Sequence, residues 1–431
     1  FSVLATTLQK SLTFGDTGCP ETLLYALAVL DDMLIGIVGK PSCGKSTFFR
    51  AATLAEAAIA NYPFTTIKPN HGVGFVKVEC VDKEFGRKCN PRFGYCIDSQ
   101  RFVPVDMLDV AGLVPGAHAG EGMGNQFLED LRPAHCLIHV VDISGSVNEK
   151  GEPCEPLSYD PVKDVSFLEF ELDMWYYQVL SKGWDRFSRQ VVQEKGQIHK
   201  AVAKQMSAFR VTEELCEELI TKTGLNAEKP NQWTEDEMKK LASAMRRATK
   251  PILIAANKAD VPGAMKNYER VKSEFHEYTI VPCSAESELA LREAAKRELI
   301  SYIPGDKDFK ILKPETLSPK QIAALEFIRK NVLQTLGSTG IQQVMDYAVF
   351  KFLDYIAIFP GGVNKLEDKD GRVLPDCFLL KNGSTALDFA YSLHTDLGDG
   401  FIRAIDVKSK RTVGKEHPLK HRDVVEIVSS K

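Results

Sequence analysis

The chain of 431 residues is long enough for about two or three domains. Its net charge of −4 and pI near 6.2 exclude an overall basic field, so any contact with nucleic acid must come from local patches. Its ten cysteines are scattered, with no CxxC pair and no His/Cys cluster at zinc-like spacing. Cys80, Cys89 and Cys96 stand too far apart in sequence for a knuckle, so reduced thiols in a cytoplasmic protein are expected.

Residues 1–32 contain acidic residues, no Arg and no basic start ahead of an apolar core, which argues against both a transit and a signal peptide. The apolar run "LLYALAVL" within them is far too short to span a bilayer, and no role is assigned to this segment. From Met33 short apolar runs alternate with helical stretches, the pattern of a mostly parallel sheet in an α/β fold. Strands are expected at 34–38, 74–80, 101–109, 136–142, 251–257 and 278–284. Between the fourth and fifth of these, roughly residues 160–250 read as helix throughout, a helical insertion into the domain. The aromatics of "VSFLEFELDMWYYQVL" are expected to pack within it, with a partner-binding arm as the alternative.

The polar, Pro-containing stretch "SYIPGDKDFKILKPETLSP" leads to two helical patterns, and from about residue 354 the texture becomes short strands, tight turns and one helix. This reads as a small α+β module of the ubiquitin-like type. The expected organisation is therefore residues 1–32 without assigned role, a domain over 33–305, a helical connector over 306–353 and the module over 354–431.

"GKPSCGKSTFF", between an apolar strand and a helix, fits the phosphate-loop pattern GxxxxGK followed by Ser or Thr. Main-chain N–H groups of such a turn wrap phosphate oxygens while the next helix aims its positive end at them. Gly39, Lys40, Pro41, Ser42, Cys43, Gly44, Lys45, Ser46 and Thr47 form the expected phosphate-binding set, with Lys45 bridging the β- and γ-phosphates and Ser46 ligating Mg2+. "DVAG" ends a later strand, which puts Asp109 in position to hold Mg2+ through water and the Gly112 amide near the γ-phosphate. In "YPFTTI" a threonine can reach Mg2+, and Thr66 is preferred to Thr65.

"NKAD" closes the fifth strand. A carboxylate at Asp260 accepts from both N1–H and the 2-amino group of guanine, donors that adenine lacks. Asn257 would bond the base and tie down the phosphate loop, and the stem of Lys258 would cover the ring. Ser284 and Ala285 in "CSAE" complete the base site, the Ala285 amide serving the guanine oxygen.

With these residues in view, "GKPSCGKSTFF", "IANYPFTTIKPN", "DVAGLVPGAHAGEGMGNQFLEDLR" and "LLKNGSTALDFAYSLHTDL" resemble the Obg-related P-loop GTPases, in the archaeal-type form of the YchF (Obg-like ATPase) branch, from about Met33 to the C-terminus. The resemblance implies a G domain with a coiled-coil-like helical insertion, a C-terminal TGS domain of β-grasp type, and association with ribosomes or translation factors. Two departures matter. YchF proteins replace the guanine-reading Asp region with an NxxE-type sequence and prefer ATP, whereas "NKAD" predicts GTP here. Many relatives have Asn where this chain has Ser42, an Asn tied to potassium-assisted hydrolysis, which leaves potassium activation open.

After "DVAG" stands Leu113, where a Ras-like enzyme carries the Gln that positions water, so slow intrinsic turnover is expected. His118, the only imidazole of the following Gly-rich loop, is a candidate catalytic contributor beside a partner or a backbone carbonyl. The His that bacterial-type relatives place after the fourth strand has no counterpart between His139 and His199. In the C-terminal module Arg403, Lys408, Lys410, Arg411, Lys415, Lys420 and Arg422 could contact RNA phosphates if they share a face, or form a solvated basic edge. Arg246 and Arg247 of the insertion could extend that surface. The leading expectation is a GTP-hydrolysing switch on the translation machinery; an ATPase of the YchF type and an RNA- or ribosome-binding scaffold are the alternatives, and a small-molecule kinase fits least.

Overall fold

A computed structural model describes residues 33–53, 70–110 and 124–430 of the chain. Thr65, Thr66, Gly112, Leu113 and His118 lie outside the described residues.

The larger sheet has seven strands: β1 (Leu34–Val38), β2 (His71–Glu79), β3 (Tyr95–Ile97), β4 (Gln100–Asp109), β5 (Cys136–Asp142), β6 (Ile252–Asn257) and β7 (Ile280–Pro282). Their order in space is β2-β4-β1-β5-β6-β7, with β3 alongside β4. The pairs from β4 through β7 are parallel, and β2 and β3 run antiparallel to β4. β1 and β5 match their expected spans. β7 is shorter than expected, and β3 was not anticipated: a run of three residues has no periodicity to read, and only its pairing with β4 makes it a strand.

The sheet is covered on both faces, which is why its central strands read as continuous apolar runs. Val38, Leu137, Val141, Ile252, Ile254 and Ala256 enter one core with the insertion. Their neighbours Ile35, Ile37, Cys136, Ile138, Val140, Leu253 and Ala255 enter the other. The alternation of strand side chains thus divides the insertion from the C-terminal half of the molecule.

Helix α1 (Lys45–Thr53) follows β1, and α2 (Gly124–Leu131) precedes β5. The insertion is five helices, α3 (Val162–Ser181), α4 (Trp184–Gln193), α5 (Ile198–Gln205), α6 (Glu213–Thr223) and α7 (Glu235–Thr249). They form a compact bundle whose core is continuous with the sheet. The stretch expected as one helix across "VVQEKGQIHK" breaks where Lys195 takes a left-handed φ of 52°. Helix α7 starts at a reciprocal cap: the Glu237 amide donates to the Thr234 hydroxyl, and the Glu237 carboxylate accepts from the Thr234 amide. Trp175 and Tyr176 are buried against Phe209, whereas Phe170 faces solvent. Arg246 is buried and paired with Glu169 and Asp173, so it is a core ion pair and does not extend a basic surface.

After α8 (Ala264–Glu274) and α9 (Ala285–Lys296), a small pair of strands, β8 (Ile300–Ser301) and β9 (Lys310–Ile311), leads to α10 (Pro319–Ile328) and α11 (Ile341–Asp346). Ile341, Val344 and Met345 of α11 sit in the same core as β1 and α1. The last module is a five-stranded sheet in the order β11-β10-β14-β12-β13, from β10 (Tyr355–Pro360), β11 (Phe378–Lys381), β12 (Phe401–Asp406), β13 (Arg411–Val413) and β14 (Val424–Ser429). Helix α12 (Ala386–Leu393) covers it, capped by Thr385, and a short α13 (Thr395–Asp399) follows. Asp406 pairs with Arg411 across β12 and β13, so Arg403 falls on the opposite face of that ribbon from Arg411. Arg422 and Lys408 are engaged with Glu79 and Glu84 of the larger domain. The seven basic residues of the module therefore do not share one face.

The described cysteines are free thiols, but the inference from their spacing is corrected. Cys80, Cys89 and Cys96 are separate in sequence, yet the turns between β2 and β3 bring their sulfurs and the Asp82 carboxylate within 4.8 Å of one another.

Candidate nucleotide-binding site

Residues 39–44 form a loop at the C-terminal end of β1 that closes onto the start of α1. Two of its glycines are required by space as well as by backbone angle. A Cβ on Gly39 would lie 2.5 Å from the Val140 carbonyl oxygen, and one on Gly44 would lie 2.2 Å from the Asn257 amide nitrogen, and both have positive φ. Ser42 is exposed and left-handed, with φ of 61°. The helix begins at Lys45 and ends its first turn with the Phe48 amide donating to the Gly44 carbonyl at 2.9 Å.

Asp109 at the end of β4 lies beside this helix start. Lys45 Nζ is 3.0 Å from Asp109 Oδ1, and Ser46 Oγ donates to Asp109 Oδ2 at 3.4 Å. Residues 64 apart in sequence thus place an ammonium, a hydroxyl and a carboxylate at the mouth of the loop. These are oxygen donors of the kind Mg2+ requires and a cation suited to phosphate. Thr47 is half-buried in the first turn, and Cys43 is buried, its thiol pushed up to about 12 by desolvation. The half-buried Pro41 packs against Gly151, where a Cβ would come within 2.6 Å of Pro41 Cβ.

The Lys40 side chain turns away from the mouth of the loop. Its ammonium is buried, 2.8 Å from Asp164 Oδ2 and 2.7 Å from the Val147 carbonyl, with the Tyr159 ring beneath it at 3.8 Å. Burial raises the Asp164 carboxyl above the ordinary carboxylate range, and the Lys40 ammonium opposes that rise. Only the Lys40 main chain remains to face a ligand.

The "NKAD" and "CSAE" segments converge on the same loop. Asn257, at the end of β6, donates from Nδ2 to the Cys43 carbonyl at 3.0 Å and accepts at Oδ1 from the Ala285 amide at 3.0 Å. One buried side chain therefore ties the phosphate loop to the "CSAE" turn. Ser284 donates through its amide to the Thr339 carbonyl and through its hydroxyl to Ser287. Asp260 is half-buried, and among the described residues its carboxylate has no partner. Lys258 has φ of 61°, and its ammonium lies 2.9 Å from Asp142 Oδ2 and 3.2 Å from Ser146 Oγ.

Asp142, Ser144, Ser146, Tyr159 and Asp164 were not singled out from the sequence. Asp142 is fully buried and accepts from Ser144 and Ser146 as well as from Lys258, so this cluster orients the Lys258 side chain. The signal available was "VVDISGS", a polar cluster directly after an apolar strand. His139 is buried in β5, its imidazole pushed down to about 3 by desolvation and then by Lys40, which makes it a neutral core residue.

Three family models match: a 50S ribosome-binding GTPase model over residues 34–165, an Obg-like GTPase YGR210-like G4 motif-containing domain over 255–362, and a TGS domain over 367–429. A GTP-binding protein of Methanocaldococcus jannaschii is 48% identical over 398 residues, covering 92% of this chain and 99% of the relative. The chain belongs to the Obg-related P-loop GTPases of the YchF type. Within that family, a ribosome-binding ATPase YchF from Buchnera aphidicola is 27% identical over 418 residues, covering 90% of this chain and 97% of the relative. The crystal structure of a GTP-binding protein from Pyrococcus horikoshii superposes with a TM-score of 0.71 at 39% identity, covering 92% of this chain and all of that one. The five-stranded module is thus the TGS domain and the larger sheet the G domain of a nucleotide-binding, hydrolase family.

Proposed function

We propose that this chain is a cytoplasmic GTP-hydrolysing switch that acts with the ribosome. The observation that carries the reading is the meeting of Lys45, Ser46 and Asp109 at a glycine-lined loop that Asn257 ties to the segment bearing Asp260 and Ala285. Gly39, Gly44 and the amides through Thr47 hold phosphate oxygens, Lys45 bridges the β- and γ-phosphates, and Asp260 selects guanine by accepting two hydrogens from its edge. Lys258 covers the purine and Ala285 donates to its oxygen. Ser46, Asp109 and Thr66 would hold Mg2+, which when bound supplies positive charge against the phosphate oxygens.

Gly112 places an amide toward the γ-phosphate and His118 contributes to water positioning, while Leu113 keeps intrinsic turnover slow, so the ribosome acts as the activator. The proposed division is a G domain over 33–305, a connector over 306–353 and a TGS domain over 354–431. Support for the ribosome as partner lies in the family description and in the name of the Buchnera relative. No helix among the described residues is long and apolar enough to cross a membrane.

Binding and turnover of GTP and ATP by the purified chain, with and without ribosomes and potassium, test the reading. Asp260→Asn is expected to lower the preference for GTP over ATP by roughly 10²-fold, the worth of charge-assisted hydrogen bonds to the base. A wild-type preference for ATP overturns the base assignment, and binding without turnover even on ribosomes favours a scaffold.

A further inference from the structure

We propose that Cys80, Cys89 and Cys96, with Asp82, form a structural zinc site that fixes the loop on which the TGS domain is seated. All four residues belong to one excursion of the G domain between β2 and β4. Cys80 follows β2 directly, Asp82 lies in the turn Val81–Phe85, and Cys96 is the central residue of β3. Gly86 takes a left-handed φ of 61°, and the Arg87 amide donates back to the Asp82 carbonyl, which returns Cys89 toward the start of the turn. The Cys80 amide donates to the Ser99 carbonyl at 2.8 Å, and β3 pairs with β4, so Cys96 approaches from the other side.

The result is a convergence that local spacing does not announce. The three sulfurs and a carboxylate oxygen lie within 4.8 Å of one another, and the Cys80 and Cys89 sulfurs are 3.6 Å apart. Tetrahedral zinc with bonds to sulfur of about 2.3 Å separates its sulfur ligands by about 3.8 Å. A disulfide between Cys80 and Cys89 would employ only two of the four groups. Thiolates also favour zinc over Mg2+ or Ca2+, which take oxygen ligands.

The surroundings fit a closed, structural ion. Cys80, Asp82 and Cys89 are buried. The Asp82 carboxylate accepts only from the amides of Lys83 and Cys89, and it has no ion pair among the described residues. A buried carboxylate is costly without a cation, and zinc supplies one. Three thiolates and a carboxylate outweigh a divalent ion, and the buried Arg101 guanidinium beside Cys89 offsets that excess negative charge. Each ligating thiol loses its proton to solvent as the metal binds, so uptake releases protons.

The same excursion carries the TGS seat. The Asn90 amide donates to the Val373 carbonyl and the Arg92 amide to the Pro375 carbonyl. Arg92 pairs with Asp376 and Arg87 with Glu367, and next to the excursion Arg101 of β4 donates to the carbonyls of Leu374 and Pro375. An ion joining the turn, the loop and β3 would hold these donors in register, because metal binding is paid back as folding free energy.

The test uses the full-length wild-type chain. Protein made in zinc-containing medium is expected to carry zinc in an amount equimolar to chain by elemental analysis. Zinc-stripped protein given Co2+ under reducing conditions is expected to develop thiolate-to-cobalt charge-transfer absorption. Cys89→Ser should weaken zinc binding by roughly 10²-fold or more, at least the loss seen on removing an outer-shell partner. Cys216→Ala, in the insertion, should leave it unchanged. Chelation should raise amide exchange over residues 80–98 and 366–377 together. A reduced wild-type chain that takes up no Zn2+ and gives no cobalt band overturns the proposal, as does a Cys80–Cys89 disulfide in metal-free protein trapped by alkylation at isolation.

Discussion

Lys40 and Lys45 share one loop but have opposite surroundings. The Lys45 ammonium meets Asp109 at the mouth of the site, while the Lys40 ammonium is enclosed with Asp164 under Tyr159. Lys45→Ala should therefore weaken nucleotide binding by about 10²-fold with little change in unfolding midpoint, since a charge-assisted contact to phosphate is lost while the partly exposed Asp109 stays hydrated. Lys40→Met should do the reverse. It leaves Asp164 buried without its cation, at a cost of about 3–5 kcal/mol in urea unfolding, with a smaller effect on nucleotide affinity measured below the transition. Equal loss of affinity in the two variants would mean that the Lys40 ammonium also serves the nucleotide. Gly44 is a further case where space decides: Gly44→Ala would push a methyl group into the Asn257 amide and loosen the tie to the "CSAE" turn.

At the scale of elements, α11 is fastened to β2 by a buried carboxylate. Asp346 accepts from the Lys77 amide at 2.7 Å and from Gln342 at 2.9 Å, and desolvation pushes its pKa up from 3.8 to about 6. The folded state then holds this proton more tightly than the unfolded chain does. The associated stability is fully present below 3.8 and is lost as pH rises through about 6, which amounts to about 3 kcal/mol for a shift of this size. Asp346→Asn, which mimics the protonated form, should match the wild type at acid pH and exceed it in stability above the folded pKa. Thermal unfolding followed across that range checks the sign, and parallel curves for the two proteins would contradict it. The stretch before α11 also reaches the "CSAE" turn: Ser284 donates to Thr339, and Glu288 of α9 accepts from Thr339, Tyr302 and Arg292. That buried network gives the "CSAE" turn a firm link to α11 through Gln342, which Arg292 also contacts.

For the molecule as a whole, the sheet's two faces separate the insertion from the TGS domain. Docking of the TGS domain rests on Arg101, which is buried yet spends two N–H groups on the carbonyls of Leu374 and Pro375. Removing that guanidinium leaves the Leu374 carbonyl without a partner among the described residues, while the Pro375 carbonyl keeps only the Arg92 amide. Arg101→Leu should cost about 2–4 kcal/mol and split the unfolding of the G and TGS domains into separate calorimetric transitions. A single transition at an unchanged midpoint would mean that the remaining contacts, Asn90 and Arg92 with residues 373–376, Arg87 with Glu367 and Arg422 with Glu79 and Glu84, suffice for docking. Exposed pairs of that kind contribute little, so the buried arginine is expected to dominate.

The phosphate loop, "DVAG", "NKAD" and the alternating strands were legible because each is local: a turn that needs glycine, a strand that must be apolar on both faces, and a carboxylate one turn beyond a strand end. The TGS module was legible as short strands and one helix, though the structure ends that helix at Leu393 and starts the short α13 at Thr395. By itself the sequence thus determined the family, the G and TGS folds and the residue types of the site. Which way each charged side chain turns was decided only in three dimensions. Lys40 was drawn inward by Asp164, Arg246 by Glu169 and Asp173, and Arg403 was set opposite Arg411 by strand register. The cysteine cluster belongs with these, since turns and strand pairing closed distances that spacing along the chain left open. The physical reason is common to all of them: a backbone pattern repeats over a few residues, whereas a buried charge or thiol takes its place from partners that the fold brings in from far along the chain.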